Sequence, residues 1–162
     1  MIDTKKRGLA AIVGVAAASA LMALVPKFEG TKLKTYRDPV GVLTYCTGAT
    51  ENAVWGKTYT AQECAAQLDY DLTKHAEGIS KCVNFDKLTD GQKIAFVDIA
   101  YNIGTAGFCR STMTKKANAG DLRASCDALL LYRFAAGREL SGLVKRREIE
   151  RKICLGEPYA AN

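Results

Sequence analysis

The chain has 162 residues, 48% hydrophobic and 25% charged, with 23 Lys+Arg against 17 Asp+Glu for a formal net charge of +6. This length suits one domain plus an appended segment, and the balance excludes a disordered tail, a collagen-like rod and a multi-span membrane protein. The basic surplus favours an anionic partner, and nucleic acid, anionic lipid and acidic wall polymer all qualify on charge alone.

At the amino terminus Lys5, Lys6 and Arg7 precede an uncharged stretch, Gly8 to Val25. As one helix these residues would span about 27 Å at 1.5 Å each, just short of a hydrocarbon core of about 30 Å. The basic cluster sets a cytoplasmic amino terminus and an exported body. Ala, Gly and Ser dominate the stretch, and its only Leu and Ile residues are Leu9, Ile12, Leu21 and Leu24. Each of those favours insertion by about 0.3–0.6 kcal/mol, which makes a weak anchor. Three readings stay open. One is a cleaved signal peptide, with Ala18-Ser19-Ala20 as the A-x-A pattern. The second is a permanent anchor, and the third an uncleaved segment that inserts and later leaves. The division is then residues 1–26 as this segment and 27–162 as the body.

The body reads as helices around one short β region. Gly, Pro, Asn and β-branched residues crowd between Tyr36 and Tyr59, which predicts a hairpin with turns. Thr60-Ala61-Gln62-Glu63 is a capping box for a helix from Ala61 to about Glu77. Thr89-Asp90-Gly91-Gln92 starts a second helix, with Ile94, Val97 and Tyr101 along one face and Gly104 at the stop. Asp121 opens a helix through Leu131, and Ser141 opens another to about Leu155, before Gly156 and Pro158. No repeat or linker divides these elements, so the fold class is α+β and mainly helical: a small hairpin region, then a helical lobe, with an apolar helix in front.

Six cysteines, Cys46, Cys64, Cys82, Cys109, Cys126 and Cys154, include no C-x-x-C pair, which argues against a zinc ribbon or thioredoxin motif. Export makes disulfides the better reading. Six cysteines allow fifteen pairings, and the sequence does not choose among them; joining neighbours in the chain gives 46–64, 82–109 and 126–154. His75, the single histidine, sits mid-helix among polar neighbours and reads as a surface residue. Ser/His/Asp catalysis and His-ligated zinc therefore lack support.

A general acid acting on a glycosidic or acyl bond needs a carboxyl beside apolar groups and a second polar group near enough to hold or activate water. Glu29 follows Val25-Pro26-Lys27-Phe28 at the end of the apolar stretch. Asp38 lies in Tyr36-Arg37-Asp38-Pro39-Val40-Gly41, and Thr44 follows on the strand Val42–Tyr45. Spacing alone does not separate this from a solvated Glu29 and an Asp38 that shapes a turn before Pro39.

The run from Phe28-Glu29-Gly30 through Tyr36–Thr44 to Gly48 resembles the active-site stretch of the phage-type lysozymes, glycoside hydrolase family 24. That motif is Glu, eight residues, Asp or Cys, five residues, Thr, and the chain matches it at Glu29, Asp38 and Thr44. Asp98–Gly104 resembles the family's central helix, Ser111-Thr112 the start of the next, and Gly142–Glu150 its carboxy-terminal helix. The likeness covers about residues 24–157. The amino-terminal segment resembles the signal-arrest-release anchors of one endolysin group.

The resemblance implies a lysozyme-like fold and hydrolysis of the β-1,4 bond between N-acetylmuramic acid and N-acetylglucosamine in peptidoglycan. Glu29 would protonate the leaving oxygen. Asp38 would stabilise positive charge on the sugar and orient a water, which Thr44 would hold on the opposite ring face. Tyr36, Gly48 and Asn102 would shape the sugar groove, packing and helix capping being the competing roles for Tyr36 and Asn102. No metal or organic cofactor and no nucleic acid is implied. The protein would be a monomer, tethered to the inner membrane through residues 8–25 with its catalytic domain in the periplasm, then soluble there. Only Pro26, Lys27 and Phe28 separate the anchor from Glu29, so insertion would keep Glu29, Asp38 and Thr44 apart until release.

The pattern also departs from the family. Gly48-Ala49-Thr50 stands where many relatives carry Gly-His-Thr, and residues 1–45 hold no Cys, which excludes thiol caging of position 38. Trp55 and Tyr59 read as packing residues. The block from Arg133 to Lys152 holds seven Lys/Arg against three Glu and reads as a solvated face that also attracts acidic polymer or phosphate groups. Competing readings are an exported, disulfide-bonded wall-binding module and a lytic transglycosylase.

Overall fold

The computed structural model describes residues 7–160; Lys5 and Lys6 lie outside them. The uncharged stretch forms two helices rather than one: α1 (Leu9–Val13) and α2 (Val15–Glu29). Gly14 sits between them at φ +91°, a conformation only glycine adopts without strain. Among the described residues no helix is long and apolar enough to cross a membrane. Instead Leu9, Val13, Ala17, Ala18, Leu21 and Val25 enter the main core with Leu72, Ile79, Phe96, Ile99 and Phe108.

Helix α2 continues through Pro26, so the composition boundary at 26/27 falls inside it. It ends only at Gly30, whose N–H donates to the Pro26 carbonyl at 2.8 Å. Glu29 thus shares one helix with most of the apolar stretch.

Strands β1 (Lys32–Arg37) and β2 (Leu43–Cys46) pair antiparallel, with Tyr36 opposite Thr44 and Arg37 opposite Leu43. The other edge of β1 meets residues 57–59: the Thr35 N–H donates to the Lys57 carbonyl at 3.0 Å, and the Tyr59 N–H to the Leu33 carbonyl at 2.8 Å. Tyr45 and Tyr59 stack at 4.4 Å and, with Cys46, Ala49 and Cys64, form a small second core. That core has no place for Trp55, which, contrary to its reading as a packing residue, is 63% exposed under the Arg37 guanidinium.

The helical lobe follows. Helix α3 (Ala61–Ser80) begins at the Thr60 capping box and runs past Glu77. Helix α4 (Asp90–Ile103) begins at the Thr89 box and stops at Gly104, φ +88°. Then come α5 (Thr105–Cys109), α6 (Thr112–Asn118), capped by Ser111, and α7 (Leu122–Ala128). The helix expected through Leu131 tightens into a 3₁₀ turn over Leu129–Leu131. A minimal hairpin, β3 (Phe134–Ala135) with β4 (Arg138–Glu139), leads into α8 (Ser141–Leu155), which ends at Gly156.

Disulfides join Cys46 to Cys64, Cys82 to Cys109 and Cys126 to Cys154, tying β2 to α3, the end of α3 to α5, and α7 to α8. His75 is half-buried rather than on the surface, because α3 packs on α4: its ring lies 5.3 Å from that of Tyr101, and its Nδ1 is 2.7 Å from the Asp71 carbonyl.

Candidate active site

Helix α2 delivers Glu29 to the edge of the lobe, where its side chain is 23% exposed. Its Oε1 accepts from Arg146 Nη1 at 2.6 Å, and the same guanidinium lies 4.8 Å from the Phe28 ring. Arg146 belongs to α8 and is itself 7% exposed. Its Nη2 donates to Asp98 Oδ1 of α4 at 3.1 Å, and its Nε to Glu150 Oε1 at 3.2 Å. One arginine therefore binds three carboxylates from three helices. Burial opposes its charge, but Asp98, Glu29 and Glu150 outweigh burial and hold its pKa above the usual arginine value.

Arg147 completes the cluster. Its Nη1 donates to Glu150 Oε2 at 2.6 Å and Oε1 at 2.9 Å, its Nε to the Tyr132 carbonyl at 3.0 Å, and its Nη2 to Asn102 Oδ1. Asn102 is thus held from behind by an arginine rather than by a helix cap.

The hairpin carries the other candidates. Asp38 Oδ1 accepts from the N–H groups of Val40 at 3.0 Å and Val42 at 2.8 Å, which closes the turn before β2. Thr44 is buried, and its hydroxyl donates to the Val42 carbonyl at 3.0 Å. Val42 therefore links Asp38 to Thr44. Tyr36 lies opposite Thr44 in the ladder, under the Lys32 ammonium at 4.1 Å from its ring centroid.

Tyr101 of α4 connects the two halves by donating its hydroxyl to the Thr47 carbonyl. Its pKa is raised by burial first, then by the Asp71 and Glu29 carboxylates. Gly48, at φ +85°, lies just beyond, where a β-carbon would come within 3.9 Å of that hydroxyl. Ala49, at the position of the family's histidine, is buried in the small core and exchanges both backbone hydrogen bonds with Tyr45.

The sequence reading missed the role of Asp98, Arg146, Arg147 and Glu150. A signal existed in part: Arg146 and Glu150 are four residues apart and Arg147 and Glu150 three, the spacings that meet on a helix. Nothing local announces Glu29, which is 117 residues from Arg146. The reading of Arg133–Lys152 as a solvated face holds for Arg133, Arg138, Glu139, Lys145, Glu148 and Lys152, which are exposed, and is corrected for the rest. Arg146, Arg147 and Glu150 are buried, Arg151 pairs with Asp127 at 2.7 Å, and Arg133 pairs with Glu139 at 3.0 Å.

Residues 26–150 match the family model described as phage lysozyme. The chain is 36% identical over 162 residues to the SAR-endolysin of Enterobacteria phage P21, with 96% of this chain and 98% of that protein covered. A crystal structure of a P22 lysozyme mutant superposes with a TM-score of 0.76 at 30% identity, covering 85% of this chain and 96% of that one. The active form of the P1 phage endolysin Lyz shares the fold, with a TM-score of 0.76 at 24% identity over 91% of each chain. The chain belongs to the phage lysozyme family and is a glycoside hydrolase of the muramidase type.

Proposed function

We propose that this protein is a phage endolysin that hydrolyses the β-1,4 bond between N-acetylmuramic acid and N-acetylglucosamine, with Glu29 as general acid and Asp38 and Thr44 serving the water. The observation that carries this reading is the grip on Glu29: a buried arginine takes Oε1 and leaves Oε2 to the substrate. A proton on Oε2 passes to the leaving glycosidic oxygen as the bond to the anomeric carbon breaks. Asp38, its Oδ1 fixed by two backbone N–H groups, faces the positive charge that develops on the sugar and takes the proton of the attacking water. The Thr44 hydroxyl gives its own proton to Val42, so its lone pairs accept from that water and orient it. Attack from the opposite ring face is inverting and needs carboxyls about 6.5–9.5 Å apart.

Residues 8–25 hold the protein in the inner membrane with its body in the periplasm until they leave the bilayer, and the released protein works as a monomer. Magnitudes favour release. The seven Leu, Ile and Val residues of 8–25 favour insertion by about 2–4 kcal/mol together, whereas each Leu or Val taken from water into a core contributes about 1.5–3 kcal/mol. Leu9, Val13, Leu21, Leu24 and Val25 are all buried in the folded body. Because Glu29 ends the helix that starts at Val15, pulling that helix into lipid takes Glu29 away from Arg146.

The test is clearing of purified peptidoglycan by the full chain and by Glu29→Gln, each first shown to be folded by circular dichroism. Wild-type clearing and an inert, folded variant are expected. Clearing by both at the same rate would overturn the role of Glu29.

A further inference from the structure

Where α4 meets α8, two carboxyls meet on one buried arginine. The Asp98 and Glu150 side chains are 0% exposed, and Arg147 is equally buried beside Arg146. Fully ionised, the carboxylates of Asp98 and Glu150 would set two like charges side by side on Arg146 in a water-poor junction. Such a pair is costly unless one charge is neutralised. The hydrogen bonds show which oxygen is left over. Asp98 Oδ1 and both oxygens of Glu150 accept from the arginines. Asp98 Oδ2 is the one buried side-chain oxygen or nitrogen among the described residues with no hydrogen-bond partner. Arg146 brings the two carboxyls together, Asp98 Oδ1 on Nη2 and Glu150 Oε1 on the neighbouring Nε, but two ionised carboxylates only accept.

We propose that Asp98 and Glu150 share one proton in the folded protein, and that this carboxyl–carboxylate pair is the positioning element that holds Arg146 against Glu29. The proton comes from solvent on folding and sits in an O–H···O bond between the two side chains. Asp98 Oδ2 thereby gains its partner. Burial pushes the Glu150 carboxyl well above the usual carboxylate range, and Asp98 beside it pushes the same way, against Arg147 and Arg146.

The surrounding groups leave this proton in place. Helix α4 contributes Asp98 and, through Arg147, the neutral amide of Asn102. Helix α2 contributes Glu29, on the far side of Arg146. Beyond α7, the Tyr132 carbonyl accepts from Arg147, and Asp127 of α7 is held by Arg151. Helix α8 itself supplies the two arginines.

Linkage sets the sign of the effect. In the unfolded chain Glu150 ionises near pH 4.3, the ordinary value for glutamate, while the folded chain keeps the proton to higher pH. Folding then takes up a proton, so stability is undiminished below the unfolded pKa and falls as pH rises towards the folded one.

The experiment compares full-length wild type with Glu150→Gln and Asp98→Asn by equilibrium unfolding from about pH 4 to about pH 8, with infrared spectra at neutral pH. In each variant an amide N–H replaces the shared proton. The ratio of wild-type to Glu150→Gln unfolding constants is expected to be flat near pH 4 and then to rise about tenfold per pH unit. The C=O band of a protonated carboxylic acid is expected in wild type and is expected to lose intensity in both variants. A ratio independent of pH, or a band as strong in both variants as in wild type, would overturn the shared proton. Neither readout needs catalysis, so both stand apart from the assignment of Glu29 as the acid. The hold on Glu29 rests on that assignment. It requires Glu150→Leu to lower kcat with KM retained and Glu150→Gln to restore kcat; equal losses in the two would overturn it.

Discussion

Helices α2 and α8 converge on Glu29 with opposite compositions. From Val15 to Phe28, α2 carries one charge, Lys27, while α8 is mostly charged or polar. Yet both bury side chains in the body: α2 Leu21, Leu24 and Val25, α8 Arg146, Arg147 and Glu150. Apolarity shows that a segment leaves water without showing whether it enters lipid or a protein core. Charge shows that a side chain needs a partner, and that partner can be another helix rather than solvent.

Breaking either half of this arrangement separates the two kinds of burial. The largest effect is on turnover: Glu29→Gln is expected to lower peptidoglycan hydrolysis about 10²–10⁴-fold, the usual loss for a general acid, with the thermal midpoint little changed. On the α8 side, Arg146→Met leaves Asp98 and Glu29 without their cation and should destabilise the fold by about 3–5 kcal/mol, measured by denaturant titration. On the α2 side, Leu21→Ala should cost about 3 kcal/mol by the same titration, since Leu21 is fully buried. The smallest effect distinguishes lipid from core. Ala10, Ala11, Ala16 and Ser19 are exposed in the folded body, so Leu at all four strengthens insertion without overpacking the core. Those changes are expected to shift partition towards the membrane by about 1–2 kcal/mol, read by fractionation and delayed lysis. Leu at Gly14, Ala17 and Ala18 would be a poorer test, because Gly14 has positive φ and both alanines are buried.

Much of the fold was legible. Thr60, Thr89 and Ser111 sit at helix starts because their side chains satisfy backbone N–H groups that a first turn leaves free, a rule local to a few residues. The hairpin and the glycine stops at Gly104 and Gly156 follow from equally local preferences. Joining cysteines to their sequence neighbours coincides with the observed disulfides, although no physical rule required it. Tertiary facts escaped. The break at Gly14 depends on α1 turning to pack on α3 rather than continuing α2. Trp55 is exposed because Tyr45 and Tyr59 fill the small core first. The candidate residues Glu29, Asp38 and Thr44 could be named from their resemblance to a family motif, not from spacing alone, whereas the cluster behind Glu29 needs three helices in register before its charges match.

The most direct test of the account is mass spectrometry of saccharides released from purified peptidoglycan by the full chain and by Glu29→Gln. The full chain is required, since residues 27–162 alone would lack Leu9, Val13 and Leu21 from the core. The account predicts fragments ending in reducing N-acetylmuramic acid from the wild type and none from the variant. Anhydro-muramic ends would mean a lytic transglycosylase, and the absence of products from the folded wild type would mean a wall-binding protein; either result would contradict hydrolysis with Glu29 as the acid.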